Sequence, residues 1–547
     1  MPGGTTLCRQ GDPPDALYIV VSGALGAFRE AEHGRLTRIG EIGAGETVGE
    51  MALLTGGTRT ATVKCLRDSE LIRLSRAGFE ALIERHPRAV MPIACFVTER
   101  LARAHTRPRY ALRPKTFALV PHDAGVPLMD VAKAFAEALR HHGATEILLA
   151  ENAASRTPDW FHRLECACDY LVYVADQQPT AWTRLCLRQV DCAVLVARTS
   201  AMASAWPALA PDPTGASEGP RRELVLLRQA GERPSGTAGW LAETGAALAH
   251  HVETPADLAR MVRALTGRAV GLVLSGGGAR GFAHIGVARA LRQSGIPIDL
   301  LGGTSMGAVV AASIASGWDD YEVVARNRRC FVDTNPLADV TIPIVSLFKG
   351  AKVSALLRRE FGETTLIEDL PQPFFCVTAN LTRGRSDVHD RGPLARWLRA
   401  SVAIPGIIRP VFDHGEVNVD GGVINNLPVD VMRGLGRGPV IGVDVSTDDT
   451  FTAASDAEAE IPLWQRVLGR RRRGVPNIMQ ILWRAGTVNS GAALRAVSEQ
   501  TDLLIQPPLE SIDMLDWKAF DRAIEAGYAH TMRLLERTPR PLPESGG

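Results

Sequence analysis

Ser305 stands between two glycines in Gly303-Thr304-Ser305-Met306-Gly307, where an apolar run gives way to an Ala/Val-rich stretch. A serine so placed sits on a sharp strand-to-helix turn with its hydroxyl raised above the sheet, and the flanking glycines leave room at the crowded elbow. Upstream, Gly276, Gly277 and Gly278 interrupt Leu272-Val273-Leu274-Ser275 and lead through Ala279 and Arg280 to Gly281. Backbone N–H groups at a helix N-terminus favour negative charge. Donors of this kind stabilise the oxyanion of a tetrahedral acyl intermediate, each by about 3 kcal/mol, and Arg280 would add positive charge at the rim. The serine needs a base. Val417-Asn418-Val419-Asp420-Gly421-Gly422 reads as a strand ending in a turn, which delivers Asp420 at a strand tip. A hydroxyl, a carboxylate and bare amides around one carbon would suit acyl transfer to water.

Each signal has a rival. Gly276-x-Gly278-x-x-Gly281 also fits the dinucleotide-binding fingerprint, with Asp299 near the position of a ribose-binding acid. That reading leaves unexplained why the next strand runs straight into a serine elbow. His284, His389 and His414 are alternative bases under a triad scheme. Asp420-Gly421-Gly422 alone would be an ordinary turn.

The elements needed to position these residues are legible as apolar runs separated by helical patterns. Ala279 to Arg292 and Met306 to Ser316 read as helices, with Ile298-Asp299-Leu300-Leu301 as the strand between them. Val440 to Val445 and Asp502 to Pro507 read as further strands, and Trp517 to Arg537 as a closing helix before a Pro-rich tail. Upstream, residues 106–265 alternate strands (Thr116 to Pro121, Ile147 to Ala150, Tyr170 to Asp176, Cys192 to Ala197) with helices such as Val131 to His142. Alternation of this kind implies a parallel sheet. Its first loop, His122 to Pro127, is placed like a nucleotide loop but lacks the Gly-Lys-Ser/Thr phosphate grip, so the module reads as a structural or regulatory spacer. Arg107-Pro108-Arg109 marks a linker, and Pro211 to Pro220 a surface loop. Residues 1–105 are β-rich, with short strands punctuated by Gly11, Gly23, Gly43 and Gly45, and Phe79 to His86 closes them as a helix.

Composition narrows the classes. The chain has 547 residues, 46% hydrophobic and 22% charged, with a formal net charge of +1. These values suit globular domains, and with no helix-turn-helix after the β-rich part no nucleic-acid partner is expected. Nine scattered cysteines, Cys166 and Cys168 forming a single C-x-C, indicate neither a zinc site nor a disulfide framework and fit a reducing cytosol. No apolar run reaches spanning length. Four consecutive arginines, Arg470 to Arg473, follow a Trp464/Val467/Leu468 cluster and would suit docking on an anionic bilayer.

Taken together and in order, Gly-x-Gly-x-x-Gly, Gly-x-Ser-x-Gly and Asp-Gly-Gly resemble the motif set of the patatin-like phospholipases, over roughly residues 268–445. Leu398 to Gly406 is a further matching block. The resemblance implies that Ser305 is the nucleophile and Asp420 the base of a Ser–Asp dyad, and that Gly276, Gly277 and Gly278 with Arg280 form the oxyanion hole. Gly281, Gly303, Gly307, Gly421 and Gly422 are then the motif glycines, and no metal or cofactor is required.

Gly45 to Leu54 followed by Arg59-Thr60-Ala61-Thr62-Val63 is similar to the phosphate-binding cassette of cyclic-nucleotide-binding domains. By that likeness Arg59 takes the cyclic phosphate and Glu50 the ribose 2′-OH, with Gly49, Thr60 and Ala61 completing the site for cAMP or cGMP. A hydroxyl at Thr60 accompanies cGMP preference in that family. The chain begins where this fold would already have an N-terminal helix and first strand, so the expectation is a truncated start or an open edge of the roll.

The order of parts resembles the neuropathy target esterase group of lysophospholipases. The expected architecture is therefore a multidomain one: an N-terminal β-roll (1–105), a middle α/β Rossmann-like spacer (106–265), and a C-terminal α/β hydrolase with a mostly parallel sheet and an extension (266–547). The expected activity is hydrolysis of acyl esters of phospholipids or lysophospholipids under a cyclic nucleotide's control, in the cytoplasm and peripherally on the inner face of the membrane. The alternative is a cyclic-nucleotide sensor whose last domain binds lipid without turnover.

Overall fold

A computed structural model of the chain describes residues 1–30, 36–89, 113–206, 220–334, 338–342, 344–446 and 500–538, with positions 91, 95, 97 and 98. The arginine run at 470–473, the linker at 107–109, the loop at 211–219 and the Pro-rich tail lie outside the described residues. The chain divides into two compact units, Met1–Glu232 with Gly239–Val262, and Arg233–Ala238 with Arg263–Gly547.

The first unit opens with a β-roll of two antiparallel layers. Strands β1 (Thr6–Cys8), β6 (Thr62–Cys65), β3 (Leu25–Glu30) and β4 (Leu36–Ile42) form one layer, and β5 (Thr47–Val48), β2 (Ala16–Ser22) and β7 (Glu70–Ser75) the other. Val20, Leu25, Ile42, Val48, Val63 and Cys65 fill the space between them. The following helix starts at Arg76, earlier than the apolar pattern implies, because the Ser75 hydroxyl accepts the Gly78 N–H and caps it.

A six-stranded parallel sheet completes the unit in the order β13 (Leu248–Val252), β12 (Arg221–Leu227), β11 (Cys192–Arg198), β8 (Thr116–Pro121), β10 (Tyr170–Val174), β9 (Thr145–Leu148). Every residue of β8 and β10 is buried, as expected of strands covered on both faces. Strands β12 and β13 were not anticipated from the sequence. Inside this unit the half-buried Arg67 pairs with Glu165 and, at 2.8 Å, with Asp191, which ties the roll to the sheet.

The second unit is built on an eight-stranded mixed sheet. Its order is β18 (Val411–Asp413), β19 (Glu416–Asp420), β16 (Phe374–Asn380), β15 (Leu300–Thr304), β14 (Gly271–Leu274), β20 (Val440–Val443), β21 (Leu503–Ile505), with β17 (Arg385–His389) also paired to β16. Strands 14, 15, 16, 20 and 21 run parallel, and β17, β18 and β19 join antiparallel at one side. β15 begins at Leu300, after Asp299. The Asp299 carboxylate is buried and takes two bonds from Arg263 (2.6 and 2.9 Å) and the Val270 N–H (3.0 Å). It braces the entrance to the sheet, and the ribose-binding role of the dinucleotide reading is thereby excluded.

The expected helix from Ala279 is two elements, a 3-10 turn Gly278–Phe282 and a helix Ala283–Gln293. The latter crosses the terminal helix Phe520–Arg537 through glycine. A Cβ on Gly286 would strike the Ile524 carbonyl, and one on Gly527 the Ala283 carbonyl. Backbones this close leave no room for a side chain. Replacing Gly527 with valine should therefore lower the unfolding midpoint, by about 1–3 kcal/mol of stability, measured by circular dichroism. An unchanged midpoint would contradict the crossing.

Candidate active site

Ser305 ends β15 and opens the helix Met306–Ala315 with φ 55° and ψ −126°. Side chains rarely adopt that region, and holding one there costs about 1–3 kcal/mol. Close packing enforces it. A Cβ on Gly303 would lie 2.8 Å from the Leu274 carbonyl, and one on Gly307 would strike the same carbonyl, so the elbow presses directly on β14.

Hydrogen bonds then fix the elbow. The Ser305 N–H donates to the Ser401 hydroxyl at 2.9 Å, and Ser401, fully buried at the end of the helix Leu394–Ser401, donates to the Val377 carbonyl at 2.8 Å. Two residues later the Ala403 carbonyl accepts the Asp420 N–H at 2.9 Å. One short segment, residues 401–403, thus holds the backbone of both Ser305 and Asp420. The sequence had marked this segment only as a matching block. Nothing in residue type or spacing distinguishes a hydroxyl that braces an elbow from any other buried serine.

Asp420, at the end of β19, is completely buried, and its Oδ2 accepts the Ser305 hydroxyl at 2.6 Å while Oδ1 accepts the Gly422 N–H at 2.9 Å. Burial raises its pKa to about 7, against the lowering effect of those two hydrogen bonds. A carboxyl in that range can take a proton from a hydroxyl and return it near neutral pH. Gly421 packs against Val377 and Thr304, which brings the Asp-Gly-Gly turn onto the elbow.

The glycine run lies against the same serine, since a Cβ on Gly276 would come within 3.0 Å of the Ser305 Cβ. Its amides are not equivalent. The Gly276 N–H donates to Asn426, to the carbonyl at 3.3 Å and to Oδ1 at 3.2 Å. The Arg280 Nε donates to the Ile512 carbonyl at 2.7 Å, and the Ala279 N–H to the Met514 carbonyl at 2.8 Å. Of the residues expected at the oxyanion hole, Gly276 thus has its amide turned to Asn426, and Arg280 anchors the loop to the C-terminal segment. The Gly277 and Gly278 amides have no acceptor among the described residues. Gly278, at φ 57°, sits hard against Met514, and Gly281 against Met306.

The three histidines stand apart from Asp420. His284 is buried with Nε2 on the Ser275 carbonyl at 2.8 Å, and burial depresses its pKa to about 4. His389 meets the Thr378 hydroxyl at 2.7 Å and stacks on Trp397, and burial lowers it likewise to about 4. His414 lies exposed in the turn between β18 and β19. None of them is a hydrogen-bond partner of Ser305 or Asp420 among the described residues.

In the β-roll, Gly49 (φ 93°) starts the short helix Glu50–Thr55, and Glu50 and Arg59 are buried beside it. The Arg59 guanidinium donates to the Gly49 carbonyl (3.2 Å), the Ala16 carbonyl (2.7 Å) and the Asp15 carboxylate (2.8 Å). Asp15 also binds Arg73 at 3.0 Å, a hydrogen bond that, with Arg59, holds its pKa below the usual carboxylate value. Thr60 is exposed and Ala61 half-buried. Asp15 was not foreseen as a partner of Arg59, because they are distant in sequence and a carboxylate at that position has no local signature.

A strained serine elbow facing a buried aspartate on a mixed α/β sheet, preceded in the chain by a β-roll and a parallel-sheet module, defines a patatin-type protein. Residues 272–433 match the family of patatin-like phospholipases, residues 1–86 the cyclic nucleotide-binding domain, and residues 113–270 the neuropathy target esterase family P-loop-like domain. One chain thus joins a cyclic nucleotide-binding domain, a neuropathy target esterase family P-loop-like domain and a patatin-like phospholipase domain. It is 30% identical to "Lysophospholipase nte1" of Aspergillus niger over 99% of its own length and 42% of that protein. With "Lysophospholipase NTE1" of Coccidioides immitis it shares 30% identity over 98% of itself and 40% of that protein. The chain thus spans about two fifths of these curated relatives. The solved regulatory domain of Toxoplasma gondii PKA with cAMP is 36% identical over 15% of this chain and 31% of its own, with a TM-score of 0.15.

A buried aspartate with a raised pKa is a stability liability at neutral pH. In the unfolded chain the group titrates near 3.8 and in the fold near 7. The stability it contributes is complete below the lower value and is lost as pH rises through the upper one. Asp420→Asn should therefore raise the unfolding free energy at about pH 8, on the order of a few kcal/mol, and change it little at about pH 4. Denaturant titrations at the two pH values check this; destabilisation at both would show that the carboxyl is not held against its own ionisation.

Proposed function

We propose that the second unit hydrolyses the acyl ester of a lysophospholipid. Ser305 attacks the ester carbonyl while Asp420 accepts its proton. The Gly277 and Gly278 amides receive the oxyanion of the tetrahedral intermediate, which collapses as Asp420 protonates the leaving alcohol. A water then gives its proton to Asp420, attacks the acyl-serine and releases the fatty acid with Ser305 restored. The single observation that carries this reading is the 2.6 Å hydrogen bond from the hydroxyl of a strained serine to a carboxyl poised near pH 7. The lysophospholipid class is supported by the activity in the names of the fungal relatives. No helix among the described residues is long and apolar enough to cross a membrane.

Fatty-acid release from lysophosphatidylcholine, followed by fluorescence or titration, tests it. Ser305→Ala should abolish release, and the pH profile should rise with a midpoint of about 7 as Asp420 ionises. Ser401→Ala should lower kcat by about tenfold or more with KM little changed, because the Ser305 N–H loses its acceptor; Ser401→Thr should restore much of it. Full turnover in Ser305→Ala, or a profile indifferent to pH across this range, would remove the dyad.

We further propose that a cyclic nucleotide enters the β-roll with its phosphate on Arg59 in place of Asp15. Family resemblance supports the ligand class, and the Arg59–Asp15 pair supports competition for one guanidinium. Asp15→Ala should then enlarge the thermal shift produced by cAMP or cGMP, and Arg59→Ala should eliminate it. Equal shifts in the parent chain and Asp15→Ala would contradict the competition.

A further inference from the structure

Between the helices Asp320–Phe331 and Ala351–Phe361, residues 340–341 pair antiparallel with residues 347–348 as the base of a small hairpin. Val340 and Phe348 form an antiparallel bridge, and the Thr341 N–H donates to the Leu347 carbonyl at 3.0 Å. Its outward residues are apolar to an unusual degree: Val340 is 70% exposed, Ile342 77%, Ile344 85% and Val345 52%. Isolated exposed aliphatics are commonplace, but four on one short projection form a patch that soluble surfaces avoid unless it serves contact.

The base of the hairpin is stapled to the active-site segment. Leu347 and Phe348 N–H groups donate to the Gly406 and Ile407 carbonyls at 3.0 and 2.9 Å, and Arg409 N–H returns to the Phe348 carbonyl. Beneath it, buried Arg399 donates to the Gly350 carbonyl at 3.1 Å and the Arg409 carbonyl at 2.7 Å. Gly406 is five residues from Ser401, whose hydroxyl accepts the Ser305 N–H, so the root of the hairpin and the brace of the elbow lie on one short segment. Exposed Lys349 and Arg409 and half-buried Lys352 surround the root; of the acidic groups there, Asp339 accepts the Lys352 N–H and Asp413 pairs with Arg396.

We propose that this hairpin is the element by which the catalytic unit enters a phospholipid surface, the aliphatic tip among acyl chains and the cationic root at the phosphates. The inference rests on the lipid-hydrolase reading and names the surface through which its substrate arrives. A bilayer is the occupant favoured by the pattern. Insertion needs only aliphatic area above a ring of cations, whereas protein contacts are anchored by Trp, Tyr and Arg in pockets, and the tip has none of these.

The test uses the full chain and the double variant Ile342→Asp/Ile344→Asp. Three readouts are needed: co-sedimentation with phosphatidylcholine vesicles containing phosphatidylserine, turnover of a water-soluble short-chain nitrophenyl ester, and mass by light scattering. The variant should partition at least about tenfold more weakly while hydrolysing the soluble ester at the parental rate and keeping the parental mass. Unchanged partitioning would overturn the proposal. So would a parental dimer that the variant converts to monomer, which assigns the face to a second copy. If the parent fails on the soluble ester, the hydrolase reading falls, and the sedimentation arm still judges the hairpin.

Discussion

The hydrogen bond between Ser305 and Asp420 joins two groups that a folding chain has reason to keep apart. One is a side chain forced into a left-handed backbone region, and the other is a carboxyl taken wholly out of water. Neither is stable by itself. Each is held because the surrounding sheet over-determines it: β14 presses on the elbow through Gly303 and Gly307, and residues 401–403 fasten both backbones at once. The local strain and desolvation are offset by a core that extends from β14 and β15 into the helices on the sheet, with Leu272, Leu301, Val310 and Ile441 among its fully enclosed members.

The C-terminal segment belongs to the same device. Ile512 and Met514 offer their carbonyls to Arg280 and Ala279, and the terminal helix closes on the helix Ala283–Gln293 by glycine contact. The glycine loop is thereby anchored on both sides of the Gly277 and Gly278 amides. Anchoring matters because donors act on a developing charge only if they need not reorganise to meet it. The neutral, buried His284 on the Ser275 carbonyl serves this rigidity, which explains a histidine beside the site that has no proton to exchange near neutral pH.

The β-roll handles charge differently. Its buried arginine is matched by Asp15, a carboxylate about half exposed, so the pair can open toward solvent where Asp420 cannot. A guanidinium lying against two backbone carbonyls and one half-exposed carboxylate suits the proposed exchange of that anion for another. In the parallel-sheet module, by contrast, the loop after β8 is occupied by its own side chains. His122 packs edge-on against Trp206 and Trp240 and meets the Ser204 hydroxyl, and Arg198 pairs with Asp123. That is consistent with a loop shaped like a phosphate cradle and lacking its lysine.

What the amino-acid order determined by itself was local. Apolar runs ending in glycine announced strands, Gly-x-Ser-x-Gly announced an elbow, and Asp-Gly-Gly announced a turn with a carboxylate at its mouth, because backbone conformation and side-chain volume act over a few residues. Strands β12, β13 and β16 escaped notice, and the helix expected from Ala279 proved to be a 3-10 turn followed by a helix. Long-range partnerships were decided only by the tertiary structure: Asp299 as a brace for Arg263, Asn426 on the Gly276 amide, Ser401 beneath Ser305, Asp15 across from Arg59. The same holds for the proton affinity of Asp420. An aspartate's pKa depends on how much water surrounds it, and that is set by every element packed over it, most of them distant in sequence.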